Sequence, residues 1–314
     1  MSNQSKKTAL VTGAYSGIGF ETAAQLAQAG YRKVYVGARS EEKAHAAVAA
    51  LKERIGRDVF APLVMDLSEL DSIQAAVDSL KTDEGVIDSL VMGAGVMFPR
   101  LTRNSAGLDM TYGVNLVGHH ALVMRLLAAN KLDGNARLIF MGSEASRGDL
   151  RGIKPMDFAL SEGSFEDTFE AVIRGDQPQE YKMMTRYATD KLFAVWWAAA
   201  LSRRLPLGMT INVVSPGGTK GTNFMQNQPW LMRKLAPLLS GAMGVPMHSV
   251  AVGSKRMLDA TEYPAEQSGL FYASPPKTTV GKVQIQENGH FKDQASQEAI
   301  WKVLVKLGGD LDVP

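Results

Sequence analysis

Short apolar runs alternate with amphipathic stretches of about ten residues or more along most of this 314-residue chain. That rhythm limits the fold more than any other feature. Thr8–Thr12, Lys33–Gly37, Val59–Met65, Ser89–Met92, Arg137–Met141 and Thr210–Val214 read as strands. Phe20–Ala29, Glu41–Ile55, Leu70–Leu80, Asn115–Ala129 and Thr189–Leu205 read as helices. Strands separated by helices need crossover connections, and these produce a parallel sheet covered on both faces. The expected class is therefore α/β, a doubly wound parallel sheet with helices on both sides. No fixed-period repeat, low-complexity tract or Pro/Gly/Ser linker divides the chain, so 1–314 is expected to form one domain. Two segments break the rhythm. Residues 146–182 are polar without a sustained period and read as an insertion. Residues 223–250 are rich in Met, Leu, Pro and Trp and read as a lid over a substrate. Both follow the carboxyl ends of strands, where open α/β sheets bind ligands.

A net charge of +2 is too small to argue for nucleic acid or an anionic membrane. The absence of cysteine excludes disulfides, thiolate nucleophiles and Cys-ligated metals. His119 and His120 fall on a core-packing helix, and no spaced His/Asp/Glu set exists elsewhere, so no metal site is expected. The start, Met1 to Lys7, is polar, and the strongly apolar stretch Leu192–Leu201 is too short to span a bilayer. The expectation is a soluble, cytoplasmic protein without an integral membrane segment.

Thr12-Gly13-Ala14-Tyr15-Ser16-Gly17-Ile18-Gly19 joins the first strand to the first helix. Glycines there let the backbone turn tightly and approach a pyrophosphate, whose charge the helix N-terminus favours. At the end of the second strand, an acid would bind the adenosine ribose of NAD, and a cation would accommodate the 2′-phosphate of NADP. The position holds Arg39, with no acid before Glu41, which favours NADP over NAD; a solvated surface arginine is the alternative. Asp66-Leu67 ends the third strand, where the carboxylate can accept from the adenine amino group or cap a helix.

Tyr187-Ala188-Thr189-Asp190-Lys191 places a phenol and an amine four residues apart, on one helical face. A free tyrosine titrates near pH 10, too high to exchange protons at neutrality, and a neighbouring ammonium is expected to pull it down. Such a pair alone is commonplace. It gains weight from Ser143, just past the fifth strand, whose hydroxyl can bond a carbonyl or alkoxide oxygen.

Taken together, the sequence resembles a short-chain dehydrogenase/reductase. The matching residues run from Thr12 to about Thr222: the glycine motif, Asp66, Asn115, Ser143, Tyr187, Lys191 and Pro216-Gly217, in the family's order. The resemblance implies a Rossmann-type sheet and a dinucleotide-binding catalytic domain. It implies Tyr187 as catalytic acid/base, Lys191 also on the nicotinamide ribose, and Ser143 orienting the substrate oxygen. It makes Asn115 the asparagine that holds a relay water through Lys191, although Asn115 can equally cap a helix. Pro216, Gly217 and Thr219 resemble the turn on the nicotinamide amide, with Thr222 competing for the side-chain contact. Ala94 and Gly95 belong to the loop over the adenosine half. There the family usually carries Asn-Ala-Gly, and Gly93-Ala94-Gly95 lacks the bracing side-chain amide. The long gap between Ser143 and Tyr187, and the Gly37-Ala38-Arg39 strand end, are similar to the retinol-dehydrogenase-like and protochlorophyllide-reductase-like branches. Without cysteine, the light-dependent protochlorophyllide activity is not expected.

Met97-Phe98-Pro99 and the apolar residues Phe224, Met225, Trp230, Leu231, Met232, Leu235 and Met243 suggest a bulky lipophilic substrate. The same late residues can instead pack a helical hairpin, or meet a membrane surface or another subunit. The leading expectation is an NADP-dependent oxidoreductase interconverting an alcohol and a carbonyl of a small molecule. A silent cofactor-binding sensor or scaffold, and an epimerase or dehydratase on the same fold, are the alternatives. Assembly as a homo-oligomer stays open.

Overall fold

The strand β1 (Thr8–Val11) is buried at every position, as a central strand covered on both faces must be. The computed structural model describes residues 7–158, 163–176, 181–220 and 247–310. From β1 the chain continues through α1 (Gly17–Gln28), β2 (Lys33–Ala38), α2 (Glu41–Ile55), β3 (Phe60–Val64), α3 (Leu70–Lys81) and β4 (Ile87–Met92). A helical turn at Met110–Tyr112 and a π-helical turn at Gly113–Val117 lead into α4 (Gly118–Ala128). Then come β5 (Leu132–Met141), a 3₁₀ turn at Glu144–Arg147, α5 (Phe165–Arg174), α6 (Met183–Ser202) and β6 (Thr210–Val214). The described chain ends with α7 (Val250–Ala260), β7 (Phe271–Ala273), β8 (Gln284–Ile285) and α8 (Gln294–Gly308).

The strands form one sheet in the order β3-β2-β1-β4-β5-β6-β7-β8, parallel except for the last pairing. Leu10 lies opposite Tyr35 on β2 and Leu90 on β4. Alternate side chains of a strand point to opposite faces. Leu10 accordingly joins the core under α3, α4 and α6, whereas Ala9 and Val11 join the core under α1, α2 and α7. This is the doubly wound, Rossmann-type sheet expected. The strand order reverses between β1 and β4, which opens a crevice at the carboxyl ends of those strands. No helix among the described residues is long and apolar enough to cross a membrane.

Local signals account for the element bounds. Ser40 caps α2 by accepting from the Lys43 amide, Glu41 and Glu42 occupy its first turn, and Gly56 ends it in the left-handed region at φ 68°. The helix expected over Glu41–Ile55 is found with those bounds. Other elements differ. α6 begins six residues before the expected Thr189, so Tyr187 is helical, as its pairing with Lys191 requires. β5 starts at Leu132 rather than Arg137, because Asp133-Gly134-Asn135 carries no strand pattern in sequence. Two strands were missed, β7 and β8, with three and two residues, too short for a period to show.

The insertion at 146–182 contains α5, which the lack of a sustained period concealed. Its apolar face is Phe165, Phe169, Val172 and Ile173, a helical spacing confined to ten residues. Phe169 is buried in an aromatic cluster with Phe158, Phe193 and Trp196. Phe224, Met225, Trp230, Leu231, Met232, Leu235 and Met243, with Thr222, lie outside the described residues, as does most of the expected lid.

Candidate functional site

The loop Thr12–Gly19 runs from β1 into α1 at the crevice. Gly13 adopts φ 66°, and a Cβ on it would stand 2.7 Å from the Ala94 Cα. A Cβ on Gly19 would stand 2.6 Å from the Gly13 carbonyl oxygen. Larger residues at either position would push the loop off the sheet. Ser16 takes the N-cap position of α1 without its side chain bonding any helix amide, and no acid stands in the first turn. The first amides of α1 are thereby left for an external anion, which the helix dipole also favours.

A cleft of about 400 Å³ opens beside this loop. It is lined by Gly13, Tyr15, Ser16, Gly17, Ile18 and Gly19 of the loop, and by Arg39, Asp66 and Leu67 at the ends of β2 and β3. Ala94 and Gly95 follow β4, Tyr187 and Lys191 come from α6, and Pro216, Gly217 and Thr219 follow β6. The structure thus gathers into one cleft every described residue that the sequence suggested for the cofactor. Ser143 and Asn115 do not line it but are bonded to residues that do. Ser143 is hydrogen-bonded to Tyr187, and the Asn115 Oδ1 accepts from the Val96 amide at 2.8 Å.

Neither Asn115 nor Asp66 caps a helix. Asn115 lies inside the π turn and is no helix cap. Asp66 does not cap α3, whose N-cap is Glu69; its Oδ1 accepts from the Ser68 amide and hydroxyl at 2.9 and 2.7 Å. The bracing missing from Gly93-Ala94-Gly95 comes from elsewhere. The Thr12 Oγ1 accepts from the Gly93 and Ala94 amides at 2.9 and 3.0 Å. It lies 2.8 Å from the His119 Nε2, whose Nδ1 lies 2.8 Å from the Asn115 carbonyl oxygen. With Thr12 accepting twice, its own proton goes to Nε2, so Nδ1 carries the imidazole proton and donates to Asn115. His120 is placed alike, between the Trp197 indole and the Gly309 carbonyl.

Burial pushes both imidazoles down to about 4. A folded value below the unfolded one means stability that is complete above the unfolded value of 6.5 and is lost as pH falls toward 4. Asp190 opposes this over part of the range, since burial raises it to about 6 and the folded chain keeps its proton longer. Two histidines against one carboxyl leave a net proton uptake on unfolding near pH 5. The melting temperature is therefore expected to fall steadily from pH 7 to pH 5, and a flat or rising profile in calorimetry would contradict the assignment.

At the chemical end of the cleft, the Ser143 Oγ accepts from the Ala145 amide at 3.2 Å, which leaves its proton for the phenol of Tyr187. The Lys191 Nζ donates to the Met141 carbonyl at 3.1 Å and lies 5.8 Å from the Tyr187 ring centroid. The expectation that lysine would pull the tyrosine down is not met. Burial pushes the Tyr187 phenol well above its ordinary value, with the Ser143 hydrogen bond acting the other way. Desolvation of a phenolate dominates, the Asp190 and Glu144 charges push the same way, and the Lys191 charge is compensated by Asp190, 3.7 Å away.

Several residues of the site carry little signal in the sequence. Asp190, inside the quoted motif, is buried and bonded to Asn115 at 3.0 Å. Glu144, next to Ser143, accepts from the Ser215 hydroxyl at 2.5 Å and the Ser274 amide at 3.1 Å. Ser215 in turn accepts from the Gly217 amide, so Glu144 ties the end of β5 to the turn after β6. Lys43 stands with its Nζ 4.9 Å from the centroid of the Tyr15 ring, beside the cleft. Only its position one turn beyond Arg39 could have signalled this.

Comparison with known proteins decides the family. The family profile described as short chain dehydrogenase matches residues 7–154. Retinol dehydrogenase 14 of Mus musculus is 31% identical over 251 residues, covering 75% of this chain and 68% of that protein. The chain belongs to the short-chain dehydrogenase/reductase family. It is similar as well to a chloroplastic protochlorophyllide reductase of Marchantia paleacea, at 26% identity over 97% of this chain and 68% of that one. Among solved structures, a short chain dehydrogenase from Burkholderia cenocepacia in complex with NADP shares the fold. Its TM-score is 0.60 at 24% identity, with 85% of this chain and 95% of that one covered. This short-chain dehydrogenase/reductase is an oxidoreductase.

Proposed function

We propose that this dehydrogenase/reductase uses NADP to interconvert an alcohol and a carbonyl on a bulky, lipophilic small molecule, with Tyr187 as acid/base. The observation that carries the reading is the presence of Tyr187 and Lys191 in the same cleft as the glycine loop, with Ser143 bonded to the phenol. The glycine loop would hold the dinucleotide's phosphates, and Pro216, Gly217 and Lys191 would hold its nicotinamide half. Bound there, the cofactor supplies or accepts the hydride. The chain's own residues do the rest. Ser143 orients the substrate oxygen, Tyr187 holds the proton that this oxygen gains or loses, and Lys191 holds the ribose. The buried phenol is in its protonated, donor form at neutrality, and the Ser143 hydrogen bond, which acts to lower its pKa, works toward release of that proton.

Phe98, Met110, Val114 and Met141 line the cleft near this end and support an apolar substrate. The similarity to a retinol dehydrogenase, named for a lipophilic alcohol, points the same way. Screening large apolar aldehydes, ketones and alcohols for a change in reduced-nicotinamide absorbance tests the reading. Stoichiometric consumption of NADPH with product is expected. Product formed without net cofactor turnover would favour an epimerase or dehydratase, and no product from any class would favour a silent binding module.

Arg39 carries the cofactor preference. It is exposed at the cleft's edge, and the strand end beside it holds no carboxylate. Titration is expected to show NADPH binding several-fold more tightly than NADH, with Arg39→Asp reversing the order. Equal affinities in the parent protein would reduce Arg39 to surface charge.

A further inference from the structure

Asp190 is a buried carboxylate that the proposed reaction does not use. It is 1% exposed, on the inner face of α6. Its Oδ2 accepts from the Asn115 Nδ2 at 3.0 Å and lies 3.7 Å from the Lys191 Nζ. Its Oδ1 is shielded from solvent and has no hydrogen-bond donor among the described residues. Asn115 is fully committed around it, since the same Nδ2 also donates to the Val96 carbonyl at 3.0 Å and Oδ1 receives the Val96 amide. A buried carboxylate with one direct donor is strongly unfavourable unless a cation stands close by. A buried ammonium meets the same penalty and sheds its proton unless an anion compensates it.

The geometry points to Asp190 as a positioning residue, the buried counter-ion that keeps Lys191 an ammonium and fixes it between the Met141 carbonyl and Tyr187. Asn115 holds the carboxylate in place, so the π turn, Asp190 and Lys191 act as one unit. An ammonium has three donors, and Met141 takes one of them. A charged Lys191 therefore keeps donors for the ribose hydroxyls that the proposed cofactor would present. A neutral amine would lose both the charge and one of those donors. This inference rests on the reading of Tyr187 and Lys191 given above.

The groups facing Asp190 are Lys191 and Tyr187 on its own helix, Asn115 and Tyr112 on the turns before α4, and Asp109 ahead of them. Lys191 is the cation that acts on Asp190, whereas Arg186, one turn earlier on the helix, faces Tyr112 and Asp109, and His119 faces Lys191. Burial lowers the lysine and raises the carboxyl to about 6, while each group's charge acts back on the other in the stabilising direction.

The test reads Lys191 directly and needs no substrate. Protein grown with isotope-labelled lysine is titrated by NMR with NADPH bound. The Lys191 signal is assigned as the one missing from Lys191→Met. The parent is expected to show Lys191 as an ammonium at neutral pH. Asp190→Asn and Asp190→Ser are each expected to lower its midpoint by about one pH unit or more. A midpoint equal to the parent's in either folded variant, or a neutral Lys191 in the parent, overturns the inference. Loss of packing alone does not move a lysine midpoint in this direction, so a merely structural role is separated. Should both variants fail to fold, the parent still decides. Its Lys191 must then read as an ammonium at pH 7, and a neutral amine there overturns the inference. Because no turnover is measured, either failure leaves the oxidoreductase reading standing.

Discussion

Replacing Tyr187 by Phe is expected to lower kcat by on the order of 10²–10⁴-fold, the range that positioned proton transfer contributes. The change removes one oxygen and leaves the ring, the helix α6 and the Lys191–Met141 hydrogen bond in place. NADPH affinity should therefore stay within about twofold, because the proposed phosphate contacts are with the Thr12–Gly19 loop and Arg39, which the change leaves untouched. KM for the carbonyl should move little, since Ser143 still meets the substrate oxygen. An interaction made mainly in the transition state is recognised by equal losses in kcat and kcat/KM. Ser143→Ala should cost less on kcat than Tyr187→Phe, because the serine orients the oxygen without exchanging its proton. Substantial residual turnover in Tyr187→Phe would place the proton donor elsewhere. A fall in NADPH affinity equal to the fall in kcat would mean that the phenol serves cofactor binding instead. In the parent, reduction should persist across neutral pH, because burial holds the phenol protonated far above it.

Much of the site could be read from sequence because it rests on backbone geometry and spacing. The glycines at 13 and 19 are forced by approaches of 2.7 and 2.6 Å, so their positions were visible without coordinates. Tyr187 and Lys191 were visible because four residues make one helical turn. What escaped has a physical pattern too. α6 is buried on nearly all sides, so its sequence shows no polar face against which Asp190 would stand out. Thr12 and His119 act across 107 residues, and Glu144 and Ser215 across 71, and single-sequence periodicity has no access to such separations. α5 was hidden because its period lasts ten residues inside a polar stretch. The direction of the Tyr187 shift was missed for a related reason. Spacing places a cation near a phenol but does not reveal how deeply both are buried, nor that a carboxylate shares the cation.

A buried ion pair between Asp109 and Arg186 joins the turn before α4 to α6 and holds α5 of the insertion through two of its backbone carbonyls. Breaking it should produce the largest loss of stability. Asp109 is fully buried and Arg186 nearly so. The Arg186 Nε donates to the Asp109 Oδ2 at 2.8 Å, and its Nη2 donates to the Val172 carbonyl of α5 at 3.1 Å. Asp109 also caps the turn before Asn115 by accepting from the Thr111 amide at 2.9 Å, and its own amide donates to the Ile173 carbonyl at 2.9 Å. Asp109→Ala leaves the guanidinium buried without an anion, a loss of about 3–5 kcal/mol, with a lost cap adding about 1 kcal/mol. Against a total stability of about 5–15 kcal/mol, that lowers the melting temperature by roughly 10 °C. The exposed pair Lys255–Asp259 serves as the control, since its removal should cost under about 1 kcal/mol. The double change Asp109→Leu with Arg186→Met, which replaces the pair by apolar side chains, should recover much of the loss, because the penalty lies in the stranded charge. If Asp109→Ala melted no lower than the Lys255 control, the pair would not be holding α5 to the helix that carries Tyr187. Recovery of stability in the double variant without recovery of turnover would show that the ion pair also sets the angle at which α6 presents Tyr187, one residue beyond Arg186.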